Sequence, residues 1–170
     1  VLNLANNHAY DQGMDGIVVT LAHLHKHGLK TVGVGITNND AWKTAIHEVR
    51  GVKIGFTGAA YSSVNDSGKS QLPFVARIQQ AGQMKRAIAQ LRRDADYVVA
   101  TMHAGVEYIA TALHGQKQIA RMAIDAGADI MIAHHPHVVQ DVELYKGHYI
   151  FYSLGNFIFD HTQKHTTEGA

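Results

Sequence analysis

The chain has 170 residues, with fifteen Lys and Arg against fourteen Asp and Glu, a formal net charge of +1 when its thirteen histidines are neutral. That length is the size of one domain and can bury a real core. The near-balanced charge, with no basic run and no aromatic-basic interleaving, gives no case for nucleic acid or an anionic membrane surface. There is no cysteine, which excludes disulfides, thiolate metal sites and cysteine nucleophiles. No apolar run is long enough to span a bilayer.

In chain order, Val1–Ala5 reads as a short strand, followed by the polar turn Asn6-Asn7-His8-Ala9-Tyr10-Asp11-Gln12-Gly13. Met14 to His27 carries Ile17, Leu21 and Leu24 at helical spacing, and Gly28 stops it. Lys30 to Gly35 is a strand. Ala45 to Val49 and Lys53 to Gly58 are two more, joined by a hairpin turn at Arg50-Gly51-Val52. Ala60 to Pro73 is rich in Ser, Asn and Gly and reads as a mobile loop. Ala81 to Arg93 is a helix with Met84, Ile88 and Leu91 inside. Tyr97 to Met102 is a buried strand, Gln116 to Ala126 a helix ended by Gly127, and Ile130–Ala133, Val142–Tyr145 and Tyr149–Ser153 are strands. Strand-helix-strand units imply parallel pairing with crossovers, and the hairpins imply an antiparallel portion. Val1–Ala5 is already a strand and His161 to Ala170 is a polar tail, so the chain reads as a piece of a longer protein, and a missing leader says nothing about secretion.

The stretch Ala133-His134-His135-Pro136-His137 puts three histidines within four positions, directly after an apolar strand. In near-extended geometry His135 and His137 point to the same side, and Pro136 stiffens the loop between them. Two imidazoles so held are a candidate pair of metal ligands; the competing reading is a polar exposed loop. Other polar residues also follow predicted strands. Asn7 and His8 follow the first, His103 follows Tyr97–Met102, and Asn156 follows Tyr149–Ser153. Carboxyl ends of strands in an open α/β sheet share one edge, where ligands bind. Imidazole nitrogen and amide oxygen suit Mn, Fe, Zn or Ni. His103, His135 and His137 supply nitrogens and Asn7 an oxygen. His8 is a candidate general acid. Asp11 either holds the His8 ring or caps the helix beginning near Met14. Glu107 is an outer carboxylate or general base, or else a solvated loop charge. His23, His25 and His27 read as surface residues favoured near a helix C-terminus, with only His23 and His27 sharing a face. His47, His114, His148, His161 and His165 have no partner visible in the sequence, and Trp42 reads as packing or a loop anchor.

The segments Leu4–Gly13, His103–Tyr108, Gly127-Ala128-Asp129 with His134–Gln140, and Tyr152–Asp160 together resemble the poly-γ-glutamate capsule synthesis protein CapA family, in its order and spacing across nearly the whole chain. The resemblance implies a calcineurin-like metallophosphatase fold, a four-layer αββα sandwich with a two-metal site at the strand ends. Residues 1–170 would form part of that domain, lacking N-terminal segments and C-terminal ones. Matched residue by residue, Asn7, His103, His135 and His137 fall on metal ligands and His8 on a catalytic histidine, with Asp11 beside it. The family's upstream Asp and Glu would precede Val1. Ala104 stands where an aromatic is usual and Ala133 where a glycine is usual.

Two functions follow. The first is a metal-dependent hydrolase of capsule or poly-γ-glutamate metabolism. It would use two divalent ions (Mn, Fe or Zn) on a polymer or a small phosphoester or amide substrate, with His8 protonating the leaving group. The second is a non-catalytic component of a polymer synthesis or export machine, with membrane-associated synthesis proteins as partners. The resemblance implies a cell-envelope or extracytoplasmic location.

Overall fold

The computed structural model describes residues 1–61 and 74–157. Its elements in chain order are β1 (Leu2–Asn3), α1 (Gly13–Lys26), β2 (Thr31–Val32), α2 (Asn38–Ala41), β3 (Ala45–Val49) and β4 (Val52–Ala60). They continue with α3 (Ala81–Asp94), β5 (Tyr97–His103), α4 (His114–Asp125), β6 (Ile130–His134), β7 (Val142–Tyr145) and β8 (His148–Phe151). Nearly all of the expected loop from Ala60 to Pro73 lies outside the described residues, as do Asp160, His161 and His165.

Six strands form one sheet in the order β3-β4-β5-β6-β8-β7. The four inner strands run parallel, and an antiparallel hairpin closes each edge. Both hairpins turn on two residues with left-handed backbone, Arg50 and Gly51 (φ 52° and 81°) and Lys146 and Gly147 (φ 53° and 85°). Such turns match the twist of the strands they join. Val52 therefore belongs to β4, paired with Val49, rather than to the turn expected from sequence.

The short strands β1 and β2 form a second, parallel pair. The sequence suggested longer strands here. Pairing stops after Val32, and Val34 bridges instead to Val75. The pair packs on the six-stranded sheet at Gly58, where an added Cβ would lie 2.4 Å from Asn3 Oδ1 and 2.6 Å from Thr101 Oγ1. Only a residue without a side chain permits that approach. Helices α3 and α4 cover the other face of the large sheet, and α1 packs against β2. The result is four layers, helix on sheet on sheet on helix.

Each helix is placed by its apolar stripe. Met84, Ile88 and Leu91 recur at helical spacing along α3 and are fully buried against Val98, Ala100 and Met102 of β5 and Met131 of β6. A smaller core of Ala5, Ile17, Val34, Ala60 and Val75 lies beneath α1. α1 and α4 stop by the same device. Gly28 (φ 72°) and Gly127 (φ 110°) take the left-handed conformation. Paired backbone bonds, Gly28 N–H to His25 O with Leu29 N–H to Leu24 O, and Gly127 N–H to Ile124 O with Ala128 N–H to Ala123 O, satisfy the last carbonyls.

Alternation along β5 aims the site. Val98, Ala100 and Met102 face the helices, so Thr101 and His103 face the small sheet. The Thr101 hydroxyl donates to Thr57 O at 3.2 Å on that side.

Candidate metal centre

Asn7, His103 and His135 meet where the carboxyl ends of the two sheets come together. Asn7 sits in the turn after β1 and is 6% exposed. Its Oδ1 lies 2.8 Å from His103 Nε2, at the last residue of β5. His103 Nε2 lies in turn 3.2 Å from His135 Nδ1, in the loop after β6. The His103 and His135 ring centres are 4.8 Å apart, and those of His135 and His137 are 6.1 Å apart. His137 Nδ1 is 2.8 Å from Asn156 Oδ1, just beyond β8.

The two rings come together for a reason other than the one read from sequence. The backbone is not extended: His135 has φ 105° and His137 φ 60°. Both are left-handed, which disfavours a side chain, and His135 is the more strained of the two. Buried Pro136 between them accepts from Tyr108 N–H at 2.8 Å, pinning the loop to the segment after His103. Gln140 reinforces this, donating to Ile109 O at 2.6 Å and accepting from the buried Gln116 amide at 3.3 Å.

His8 lies on the outer side. Its side chain is 64% exposed, and its Nδ1 pairs with Asp11 Oδ2 at 2.7 Å. Asp11 contacts the His8 ring, and α1 is preceded by Gln12 with no side-chain cap. His8 directly follows Asn7 in the turn after β1. Glu107 is exposed, yet its carboxylate and the ring nitrogens of His135 and His137 all lie within 4.8 Å of one another.

Burial, then the neighbouring histidines, lowers the His103 pKa to about 3. Burial likewise lowers His134 and His135, with Glu107 opposing the shift at His135. These imidazoles are held neutral, the form that donates a lone pair to a cation. His134 pairs in register with His103 on the same face of the sheet but joins none of the contacts above.

The profile of the family described as bacterial capsule synthesis protein PGA_cap matches residues 1–161. The chain belongs to this family. Among PGA_cap relatives, the PGA biosynthesis protein CapA of Bacillus subtilis (strain 168) is 39% identical over 178 residues, covering 100% of this chain and 45% of its own length. The capsule biosynthesis protein CapA of Bacillus anthracis is 37% identical, covering 100% of this chain and 42% of its own. A probable polyglutamine synthesis accessory protein of Mycobacterium tuberculosis (strain CDC 1551 / Oshkosh) is 32% identical over 95% of this chain. The chain thus spans less than half the length of these relatives.

Solved structures share the PGA_cap chain's architecture at low identity. A protein from Staphylococcus aureus described as a 5′-nucleotidase aligns with a TM-score of 0.58 at 16% identity, over 86% of this chain and 30% of its own. The NAD nucleotidase of Haemophilus influenzae aligns with a TM-score of 0.54 at 18% identity, over 88% and 34%. The fold is the metallophosphatase-like αββα sandwich.

Sequence reasoning missed one residue of the candidate site. Tyr61 directly follows β4, and its hydroxyl lies 3.2 Å from His135 Nε2 with the rings 5.1 Å apart. It reads as the start of a Ser- and Asn-rich loop. The available signal was its place at the carboxyl end of a long apolar strand; Ala60 before it pairs with His103, to whose carbonyl Tyr61 N–H donates. Trp42, read as packing or a loop anchor, is buried, and its indole N–H donates to Gln80 Oε1 at 2.9 Å. His25 and His148 also have partners, Thr31 Oγ1 and Asp129 O.

Proposed function

We propose that this chain carries the metal-binding face of a metal-dependent hydrolase acting on phosphoester or amide bonds in capsule or poly-γ-glutamate metabolism, in the cell envelope. The observation that carries the reading is the spacing of donor atoms. Two ligand atoms each ~2.1 Å from one cation stand roughly 3.0 to 3.4 Å apart for bond angles between octahedral and tetrahedral. Asn7 Oδ1, His103 Nε2 and His135 Nδ1 are linked by separations of 2.8 and 3.2 Å, and the nitrogens belong to rings kept neutral. The 3.2 Å separation lies inside that range and the 2.8 Å one just short of it, and the donor set of amide oxygen and imidazole nitrogen suits a divalent ion of the Mn, Fe or Zn type. His137 and Glu107 supply donors for a second ion beside His135. Among the described residues, Glu107 is the carboxylate grouped with His135 and His137.

When bound, such ions supply Lewis acidity and lower the pKa of coordinated water. The chain's own residues do the rest. Asn7 and the histidines fix the position of the reacting group at the mouth between the two sheets. His8, oriented by Asp11 through Nδ1, keeps Nε2 outward to give a proton to the leaving oxygen or nitrogen. Its exposure leaves room for a large substrate such as a polymer.

The test is an assay of the Mn²⁺-loaded protein against a phosphoester panel and poly-γ-glutamate, with His8→Ala as control. Turnover that falls at least a hundredfold in His8→Ala supports the hydrolase. Tight polymer binding without turnover supports instead a non-catalytic part in polymer synthesis or export.

A further inference from the structure

We propose that His23 and His27, at the carboxyl-terminal end of α1, form a second divalent-cation site, of the Zn or Ni type, apart from the centre at the sheet edge. Both residues belong to the last turn of α1, and their pairing is independent of the metal reading above.

Spacing is the first reason. Residues four apart on a helix lie on one face, one turn above another, and two histidines so placed hold a single ion between them. The backbone closes that turn here: His27 N–H donates to His23 O at 3.3 Å. Left-handed Gly28 then ends the helix, with Leu29 N–H returning to Leu24 O at 3.0 Å. The two imidazoles are thus carried on fixed backbone.

Ring geometry is the second reason. The His23 and His27 ring centres are 4.8 Å apart, with the planes at 55°. A ring nitrogen ~2.1 Å from a cation puts its ring centre roughly 3.2 Å from it. Two rings on one ion then stand roughly 4.5 to 5.3 Å apart for bond angles between octahedral and tetrahedral. The observed separation lies inside that range. His103 and His135, in the candidate centre, stand at the same 4.8 Å with their planes at 57°.

The surroundings set the kind of site. His23 and His27 are exposed, which leaves the remaining coordination positions to water. The partial negative charge at a helix carboxyl terminus favours a cation. Imidazole donors select Zn, Ni or Cu over Mg or Ca. His25, between them in sequence, is engaged elsewhere, its Nε2 lying 3.0 Å from Thr31 Oγ1. Lys26 is exposed, and its long side chain carries its charge into solvent, where salt screens it. α1 begins beside the turn that holds Asn7 and runs for 14 residues, which is ~20 Å of helix. The pair therefore lies at the far end of α1 from Asn7, where the chain turns into β2. An ion there clamps the last turn of the helix.

The test titrates Zn²⁺ into the ¹⁵N-labelled chain and follows the His23, His27 and Gly28 resonances by ¹H–¹⁵N correlation. In the wild type, His23 and His27 should shift together on one saturating curve, with slower amide exchange at His27 and Gly28. His23→Ala should weaken the binding seen at His27 about 10-fold or more, and His27→Ala should do the same at His23, because the second donor acts at high effective concentration. His25→Ala should leave the curve unchanged. So should His135→Ala, which removes a donor from the sheet-edge centre and keeps the two sites distinguishable. Separate curves for His23 and His27 in the wild type, or a His27 curve unaffected by His23→Ala, overturn the proposal, because the rings are then independent surface imidazoles. Loss of the joint curve in His135→Ala overturns it as well, since the shifts would then belong to the other centre.

Discussion

Asn7 Oδ1 and His103 Nε2 lie 2.8 Å apart although 96 residues separate them in the chain. One follows a strand of the small sheet and the other ends a strand of the large one, so this contact closes only when the two sheets are stacked. The candidate site is a product of the sandwich rather than of either sheet, and Asn7, His103 and His135 come from three segments, after β1, at the end of β5 and after β6.

The division of labour between His8 and His135 is the first prediction. His8 is exposed and held by Asp11, outside the close donor contacts, whereas His135 lies within them. His8→Ala should lower turnover while keeping metal content near wild type, and His135→Ala should lose metal. Elemental analysis of the two purified variants checks this. Equal metal loss in both contradicts the assignment.

Backbone strain at His135 gives a second prediction. At φ 105° a side chain is disfavoured and glycine is not. Among metal-free variants, His135→Gly should therefore be more stable than His135→Ala by about 1 kcal/mol, the reverse of the order expected at an ordinary loop position. Urea unfolding measures the difference. Alanine equal to or better than glycine would mean that the strain is absent in solution.

The third prediction concerns acid. Burial and neighbouring histidines lower the folded His103 pKa to about 3, against an ordinary value of 6.5. Between those values the unfolded chain binds more protons than the folded one, so stability rises with pH across that window. Metal-free protein should keep this contribution above about pH 6.5 and lose it progressively on acidification toward pH 3. His134 and His135, lowered in the same direction, add to the slope. Melting temperatures from pH 4 to 8 for wild type and His103→Gln should converge at the acid end. Parallel curves would place His103 in water rather than in the site.

The fourth prediction tests the scaffold. Leu91 is fully buried, and it packs α3 against β4 closely enough that a Cβ on Gly55 would lie 2.7 Å from its Cδ2. Leu91→Ala should cost about 2–5 kcal/mol, measured by urea unfolding. A loss below about 1 kcal/mol would show that α3 does not hold the sheet.

Much of this arrangement is legible in the chain. The stripe of Met84, Ile88 and Leu91 and the apolar run before His103 specify α3 and β5 by period alone. Gly28 and Gly127 mark helix ends because the left-handed residue there accommodates no side chain cheaply. Hydrophobic runs ending in His103 and in His134 and His135 place those histidines at one sheet edge. Other features are silent in sequence for definite reasons. α2 is four residues long and rests on a cap, Thr37 Oγ1 accepting from Asp40 N–H at 3.1 Å, so it has no apolar period to read. The left-handed backbone at His135 and His137 is imposed by the pinned loop and not by either residue type, so the extended geometry expected there is wrong. Tyr61 meets His135 only through the pairing of β4 with β5, a contact between residues 74 apart.

The most direct test of the central claim is anomalous diffraction from crystals of the protein soaked in Mn²⁺, collected above and below the manganese edge. The account expects a peak about 2.1 Å from each of Asn7 Oδ1, His103 Nε2 and His135 Nδ1, with any second peak beside His137 and Glu107. Manganese bound only elsewhere on the surface, with Asn7, His103 and His135 still hydrogen-bonded to one another, would contradict it.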